Sequence, residues 1–413
     1  MTLVRRIEII NTGTELLFGS VVNTHLAYLG QELFSLGLRI QRQVTVPDGH
    51  AIRDAILEAS NRVDALLITG GLGPTSDDVT RDIVAELTGR ELRFVEPIFA
   101  TIRSYFDRRN LRLNDLIKRQ AYVPEGATVL DNDFGTAPGL YVPATGSLPH
   151  LFLLPGPPRE LRPMYQDKVV PILRTLVPQV DLHAAVYRTS GLGESYLEEA
   201  VGRDVERLAG IEVGYCARLG EVDLRVIGTK GVLAEADTLI RSKLAPYLVT
   251  TESRELEEVV VELLGKRGAT LAVAESCTGG QLADRLTNVP GASAIFLEGH
   301  ITYSNRAKES TLAVPADLLA AHGAVSEPVA AAMAEGARNR ADATFGLSTT
   351  GIAGPGGGTE EKPVGTVFVG LAEQGAPTRV EKLFFPLDRQ AFKRMVSQHA
   401  LNLLRQRLTT AIS

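Results

Sequence analysis

The chain has 413 residues, a formal net charge of −6, 6% aromatic residues and no tryptophan. The length suggests roughly two to four domains. The charge and the scarcity of aromatics argue against a general phosphate-backbone binder and against a surface that stacks on single-stranded nucleic acid.

With 44% hydrophobic and 22% charged residues, a buried globular core is expected. No apolar run approaches the ~20 residues of a membrane span. Cys216 and Cys277 make no metal or disulfide pattern, and the first residues lack the apolar stretch of a signal peptide. The expectation is a soluble, cytoplasmic protein.

Residues 7–10 predict a first strand. Leu26, Leu29, Leu33 and Leu36 then recur at helical spacing, with Gly37 at the stop position. A second strand is expected over residues 38–46, broken by Pro47-Asp48, and Ile52, Ile56 and Leu57 mark the next helix. Residues 65–68 read as a short, fully apolar strand. Gly70-Gly71-Leu72-Gly73-Pro74 follows it, and then a helix from about residue 77 to 87. Residues 150–154 predict a further buried strand that ends at Pro155-Gly156-Pro157-Pro158. Such alternation implies a parallel sheet covered by helices.

The texture changes near residue 180. A small α+β segment is expected to about residue 249, with strands near 221–228 and a helix over 231–244. Residues 254–266 read as a helix. The last unit reads as strand 270–274, helix 279–287, strand 294–302, helices to about 340, strands 343–349 and 365–372, and a final helix. The fold class is therefore multidomain α/β, with domains at 1–175, 176–251 and 252–413.

Three polar segments sit beside strand ends of the last unit. They are Glu275-Ser276-Cys277-Thr278-Gly279-Gly280, the run from Gly299 to Lys308, and the glycine-rich run from Thr349 to Gly358. Ligands gather at the carboxyl ends of strands in parallel α/β sheets, so these segments can converge. A hydroxyl and a thiol at a strand-to-helix turn stand where a nucleophile would, beside unpaired N–H groups that stabilise an anion.

Ser276 is the expected nucleophile and Cys277 its rival, because adjacent residues of an extended segment point opposite ways. Lys308 or Tyr303 is the expected base, with His300 and His322 as alternatives. A serine–lysine pair requires a desolvated lysine. Glu275 either orients a donor or the substrate or is a satisfied carboxylate at a strand end.

These strings, with His322-Gly323-Ala324-Val325-Ser326 and Thr350-Gly351-Ile352-Ala353-Gly354-Pro355, closely resemble the CinA C-terminal domain, the nicotinamide mononucleotide deamidase family. The resemblance covers roughly residues 252–413. It implies hydrolysis of the carboxamide of nicotinamide mononucleotide to nicotinate mononucleotide and ammonia, with no cofactor. On this reading Glu275, Thr278, Gly279, Gly280, Asn305, Thr350, Gly351 and Gly354 contact the substrate.

The first domain carries Gly13-Thr14-Glu15-Leu16-Leu17, Thr69-Gly70-Gly71-Leu72-Gly73-Pro74, a loop over 132–139 and Pro155-Gly156-Pro157-Pro158-Arg159-Glu160. Gly70, Gly71 and Gly73 allow close approach of backbone N–H groups to a phosphate. Asp48, Asp78 and Glu160 are hard oxygen ligands suited to Mg²⁺, while Asp77 and Asp78 also read as helix caps.

This set is similar to the CinA N-terminal domain and its molybdopterin-binding (MoaB/MogA-like) fold over about residues 5–172. Thr14 stands where the family pattern has an aspartate. The resemblance implies cleavage of ADP-ribose to AMP and ribose 5-phosphate with Mg²⁺ or another divalent cation and K⁺. The alternative is a pterin-type ligand site. The middle segment resembles a KH-like domain, but Ser190-Gly191-Leu192-Gly193-Glu194 lacks the spacing and basic support of an RNA reader. It is expected to be a spacer and dimer contact.

The expected function is a bifunctional pyridine-nucleotide recycling hydrolase, a homodimer with small nucleotides as partners and no nucleic acid or membrane. The rival is a non-catalytic competence or DNA-damage adaptor.

Overall fold

The computed structural model describes residues 3–178 and 180–410. The outer ends of the expected first and third domains, residues 1–2 and 411–413, lie outside the described residues. The chain is a multidomain α/β protein. It divides into two compact units, Met1–Asp181 and Leu182–Ser413.

In the first unit the strands are β1 (Ile7–Thr12), β2 (Ile40–Val46), β3 (Ala65–Thr69), β4 (Leu92–Phe94), β5 (Tyr122–Pro124), β6 (Thr128–Leu130), β7 (Gly139–Val142) and β8 (His150–Leu154). The main sheet runs β2-β1-β3-β8-β7-β6, while β4 and β5 form a separate ribbon. The four strands from β2 to β8 are parallel, and β7 and β6 are added antiparallel.

β1, β3 and β8 are buried along their whole length. Their side chains alternate between two cores, so Ile9, Leu67 and Phe152 meet the helix His25–Ser35 side, and Ile10, Ile68 and Leu153 meet the Ala51–Ser60 side. Burial on both faces is why these strands read as continuous apolar runs. Register makes their ends level, with Asn11 opposite Thr69 and Thr69 opposite Leu154. The loops after β1, β3 and β8 therefore emerge side by side.

The helix expected from residue 77 begins at Thr80, and its N-cap, Val79, offers no side-chain cap. Asp77 and Asp78 thus precede the helix and do not cap it. Thr75 draws both away: it hydrogen-bonds the Asp77 carboxylate, holding it below the usual range, and donates its N–H to Asp78.

The second unit opens with β9 (His183–Ser190), β10 (Glu212–Arg218), β11 (Glu221–Gly228) and β12 (Leu248–Thr250). They form an antiparallel sheet in the order β10-β11-β9-β12. Its own core includes Tyr187, Leu197, Leu224 and Ile240. A capping box of Glu255 and Glu258 starts the helix Leu256–Arg267.

The strands β13 (Leu271–Glu275), β14 (Phe296–Ile301), β15 (Phe345–Gly351), β16 (Thr366–Glu373) and β17 (Arg379–Phe384) follow. Their sheet runs β14-β13-β15-β16-β17. The first three are parallel, and β16 and β17 return antiparallel. Glu275 pairs with both Ile301 and Thr349, which brings the three polar segments level. The long final helix, Arg389–Thr410, packs Phe392, Val396 and Leu404 into the core of this sheet.

Candidate active site

Leu271, Ala272, Val273 and Ala274 are fully buried, so β13 is a rigid platform and Ser276 is the first residue beyond it. The Ser276 N–H is held by the Thr349 carbonyl at 2.9 Å. Its hydroxyl accepts a hydrogen bond from Lys308 Nζ at 3.1 Å, and the same ammonium donates to the Thr302 carbonyl at 2.8 Å.

Lys308 lies on the helix Asn305–Leu312, which Ser304 caps by accepting from the Ala307 N–H. The lysine is 1% exposed. Burial lowers its pKa from the ordinary lysine value, because the charged form loses its hydration. Ser276, the expected nucleophile, is thus joined to one of the two expected bases.

The other expectations sort by contact. Cys277 is 4% exposed and belongs to the hydrophobic core. Burial pushes its thiol up to about 12, despite a hydrogen bond from the Thr349 side chain. A thiol at that value stays protonated near neutrality, and Cys277 packs as a core residue. Tyr303 is 62% exposed, and its hydroxyl accepts from Arg389 Nη2 at 2.8 Å. His300 lies against Glu298, and the His322 carbonyl holds Lys362 Nζ.

Glu275 is fully buried, and its carboxylate accepts from the N–H groups of Gly280, Leu282 and Ala283 at 2.9–3.1 Å. It neutralises the start of the helix Gln281–Thr287 from within the chain. This replaces the expected substrate contacts of Glu275 and of the Gly280 amide. The turn before the helix keeps the N–H groups of Thr278 and Gly279 without an acceptor among the described residues.

Thr350 is fully buried and donates to the Ala324 carbonyl, and a Cβ on Gly351 would press on the Thr366 carbonyl. Both serve packing. Asn305 is exposed at its helix start. Gly354 offers its carbonyl to Arg389 Nη1 at 2.9 Å.

Arg389 is the residue that sequence reasoning missed. It joins Tyr303 to Gly354, and one turn later Lys393 lies over Gly279, its Nζ 3.6 Å from where a Cβ on that glycine would stand. The readable signal was two cations four apart at a helix start, where the helix dipole disfavours them.

In the first unit, a cavity of about 380 Å³ is lined by residues from all the loops at the level strand ends, among them Gly13, Asp48, Gly70, Gly71, Gly73, Asp78 and Glu160. Gly70 and Gly71 have φ of +97° and +68°. A Cβ on Gly70 would stand 2.5 Å from Thr12 Oγ1, and one on Gly71 would collide with Thr80 Oγ1. Glycine is therefore required by the turn itself.

The three expected metal ligands share this cavity, but each is held by a separate donor of the chain. Asp48 accepts from the Thr14 N–H and hydroxyl, Asp78 from the Thr75 N–H, and Glu160 from Asn132. Thr14, where the family pattern has an aspartate, is thus a donor to Asp48. Among the described residues no three His, Cys, Asp or Glu are grouped to hold a metal ion. The donor set does not fit a preformed cage for a divalent cation.

Residues 253–408 match the CinA C-terminal domain, and residues 8–175 match the model described as "Probable molybdopterin binding domain". A CinA-like protein of Akkermansia muciniphila is 48% identical over 396 residues, covering 96% of each chain. The chain belongs to the CinA family.

A second CinA-like protein, from Kosmotoga olearia, is 42% identical over 97% of this chain and 98% of its own. A solved structure of a CinA superfamily protein from Klebsiella pneumoniae is 34% identical over 38% of this chain and 96% of its own, with a TM-score of 0.37. In this CinA chain the Ser276–Lys308 pair lies within the matched C-terminal domain, and the glycine-lined cavity lies within the matched N-terminal one.

Proposed function

We propose that the second unit is an amidohydrolase acting on the carboxamide of nicotinamide mononucleotide. The observation that carries this reading is the 3.1 Å hydrogen bond from a buried lysine of lowered pKa to the Ser276 hydroxyl. In the neutral state Lys308 takes the Ser276 proton as Oγ bonds to the carboxamide carbon. The free N–H group of the exposed Gly279 is suited to hold the oxygen that becomes negative. The C–N bond then breaks, and Lys308 returns its proton to the leaving nitrogen, which departs as ammonia. Water hydrolyses the resulting ester, with Lys308 again as base, and restores the serine. Arg389 and Lys393 supply the positive charge that the substrate phosphate needs.

Tyr303 and Asn305 are proposed to border the substrate from the exposed side. The test is direct. The intact chain given nicotinamide mononucleotide should release ammonia and nicotinate mononucleotide in equal amounts, and unchanged substrate would contradict the reading.

For the first unit we propose ADP-ribose cleavage to AMP and ribose 5-phosphate, supported by the glycine turn and the cavity that it lines. Mg²⁺ is commonly held by one or two carboxylates together with substrate phosphates. The separated carboxylates therefore favour a cation that arrives with the diphosphate. AMP should form from ADP-ribose when Mg²⁺ and K⁺ are present, and its absence would count against the proposal. A soluble, cytoplasmic homodimer completes the picture.

A further inference from the structure

The cavity of the first unit has a polar wall that the phosphate-cradling turn does not explain. Gln120 lines it, is 1% exposed, and has a carbonyl oxygen without any hydrogen-bond partner among the described residues. Thr12 lines the same cavity at 5% exposure, and its hydroxyl is also unpartnered. A buried polar group left unpaired is destabilising unless a ligand or water satisfies it, so two such groups on residues lining one cavity point to a polar partner that the chain itself does not supply.

The chain also holds Gln120 in place. Arg81, 2% exposed, donates from Nη2 to the Leu72 carbonyl of the glycine turn and from Nη1 to the carbonyl of Arg119, both at 2.9 Å. One buried guanidinium thereby fixes the distance between the phosphate turn and the residue beside Gln120. A diphosphate seated at the turn places whatever ring it carries at a set reach from that amide.

A glutamine side chain presents a donor and an acceptor side by side in a plane. Adenine offers the complement, an exocyclic amine next to a ring nitrogen. We propose that Gln120 is the residue by which the first unit recognises the adenine ring of its nucleotide, and that Arg81 is a positioning residue that sets the spacing between ring and diphosphate. This inference rests on the ADP-ribose reading of the first unit.

The test compares ADP-ribose with the analogue in which unsubstituted purine replaces adenine, titrated calorimetrically against the intact chain and against Gln120→Met. Wild type should bind ADP-ribose roughly 10- to 100-fold more tightly than the purine analogue. Gln120→Met should bring the two within about threefold, and its melting temperature should be no lower, since an apolar group of similar shape replaces an unpaired amide. Gln120→Leu repeats the comparison should the first variant express poorly.

Equal binding of the two nucleotides by wild type would overturn the role of Gln120 while leaving the nucleotide reading intact. A variant that loses both ligands equally and melts lower would make Gln120 a structural residue and overturn the inference. Failure of wild type to bind ADP-ribose at all would remove the ADP-ribose reading, and this inference with it.

Discussion

The two glycine-lined sites are built alike and equipped differently. Each lies where buried parallel strands end in register, and each follows its strand with a turn whose glycines adopt positive φ. In the second unit the turn is closed by its own carboxylate, Glu275, and a buried lysine lies against a hydroxyl. In the first, the carboxylates are spread around an open cavity, and the orphan polar atoms belong to Gln120 and Thr12. A glycine turn at a strand end announces a site but not its chemistry. That is settled by which polar groups are left buried and unneutralised.

Lys308→Met should separate the two most strongly. Ammonia release from nicotinamide mononucleotide should fall by about 10²- to 10⁴-fold, the usual contribution of a general base, while AMP release from ADP-ribose stays unchanged. Gly71→Ala should do the reverse. Its methyl has no room beside Thr80, and displacement of the turn should reduce ADP-ribose cleavage about 10²-fold without touching deamidation. Arg389→Ala should raise KM for nicotinamide mononucleotide roughly 10-fold, as loss of a charged hydrogen bond does, with a smaller change in kcat.

The smallest effect is a shape. Because burial lowers the Lys308 pKa from its ordinary 10.5, deamidation should rise with pH to a plateau reached below that value. Between the lowered folded pKa and 10.5 the unfolded chain binds more protons than the folded one, so stability also rises with pH there. A deamidation profile that climbs only near 10.5 would assign the proton to a solvated lysine.

Much of this was legible in the sequence for a physical reason. Strands buried on both faces, such as β3, β8 and β13, read as unbroken apolar runs, and the turns that follow need glycine. β9, β10, β17 and the short β4, β5, β6, β7 and β12 escaped notice. β10 and β17 are only partly buried, β9 is fully buried only in its second half, and the others span three or four residues. Their antiparallel pairing left the sheets less purely parallel than expected.

Ser276 was readable from its turn, but the choice between Lys308 and Tyr303 depended on which face of the segment after β14 turns inward. Asp77 and Asp78 resembled caps because a local threonine that competes for them leaves no periodic signal. Arg389 and Lys393 reach the site from the last helix, and Gln120 enters the first cavity from a short helical turn, Asp115–Ala121. Distant contributions of that kind have no local pattern to betray them.

The central claim is that Ser276, activated by Lys308, attacks the carboxamide while Cys277 belongs to the core. Ammonia release by Ser276→Ala and Cys277→Ala, measured beside wild type, tests it most directly. The account predicts that Ser276→Ala loses at least about 10³-fold and that Cys277→Ala stays within a few-fold of wild type. Normal turnover by Ser276→Ala, with loss in Cys277→Ala, would contradict it.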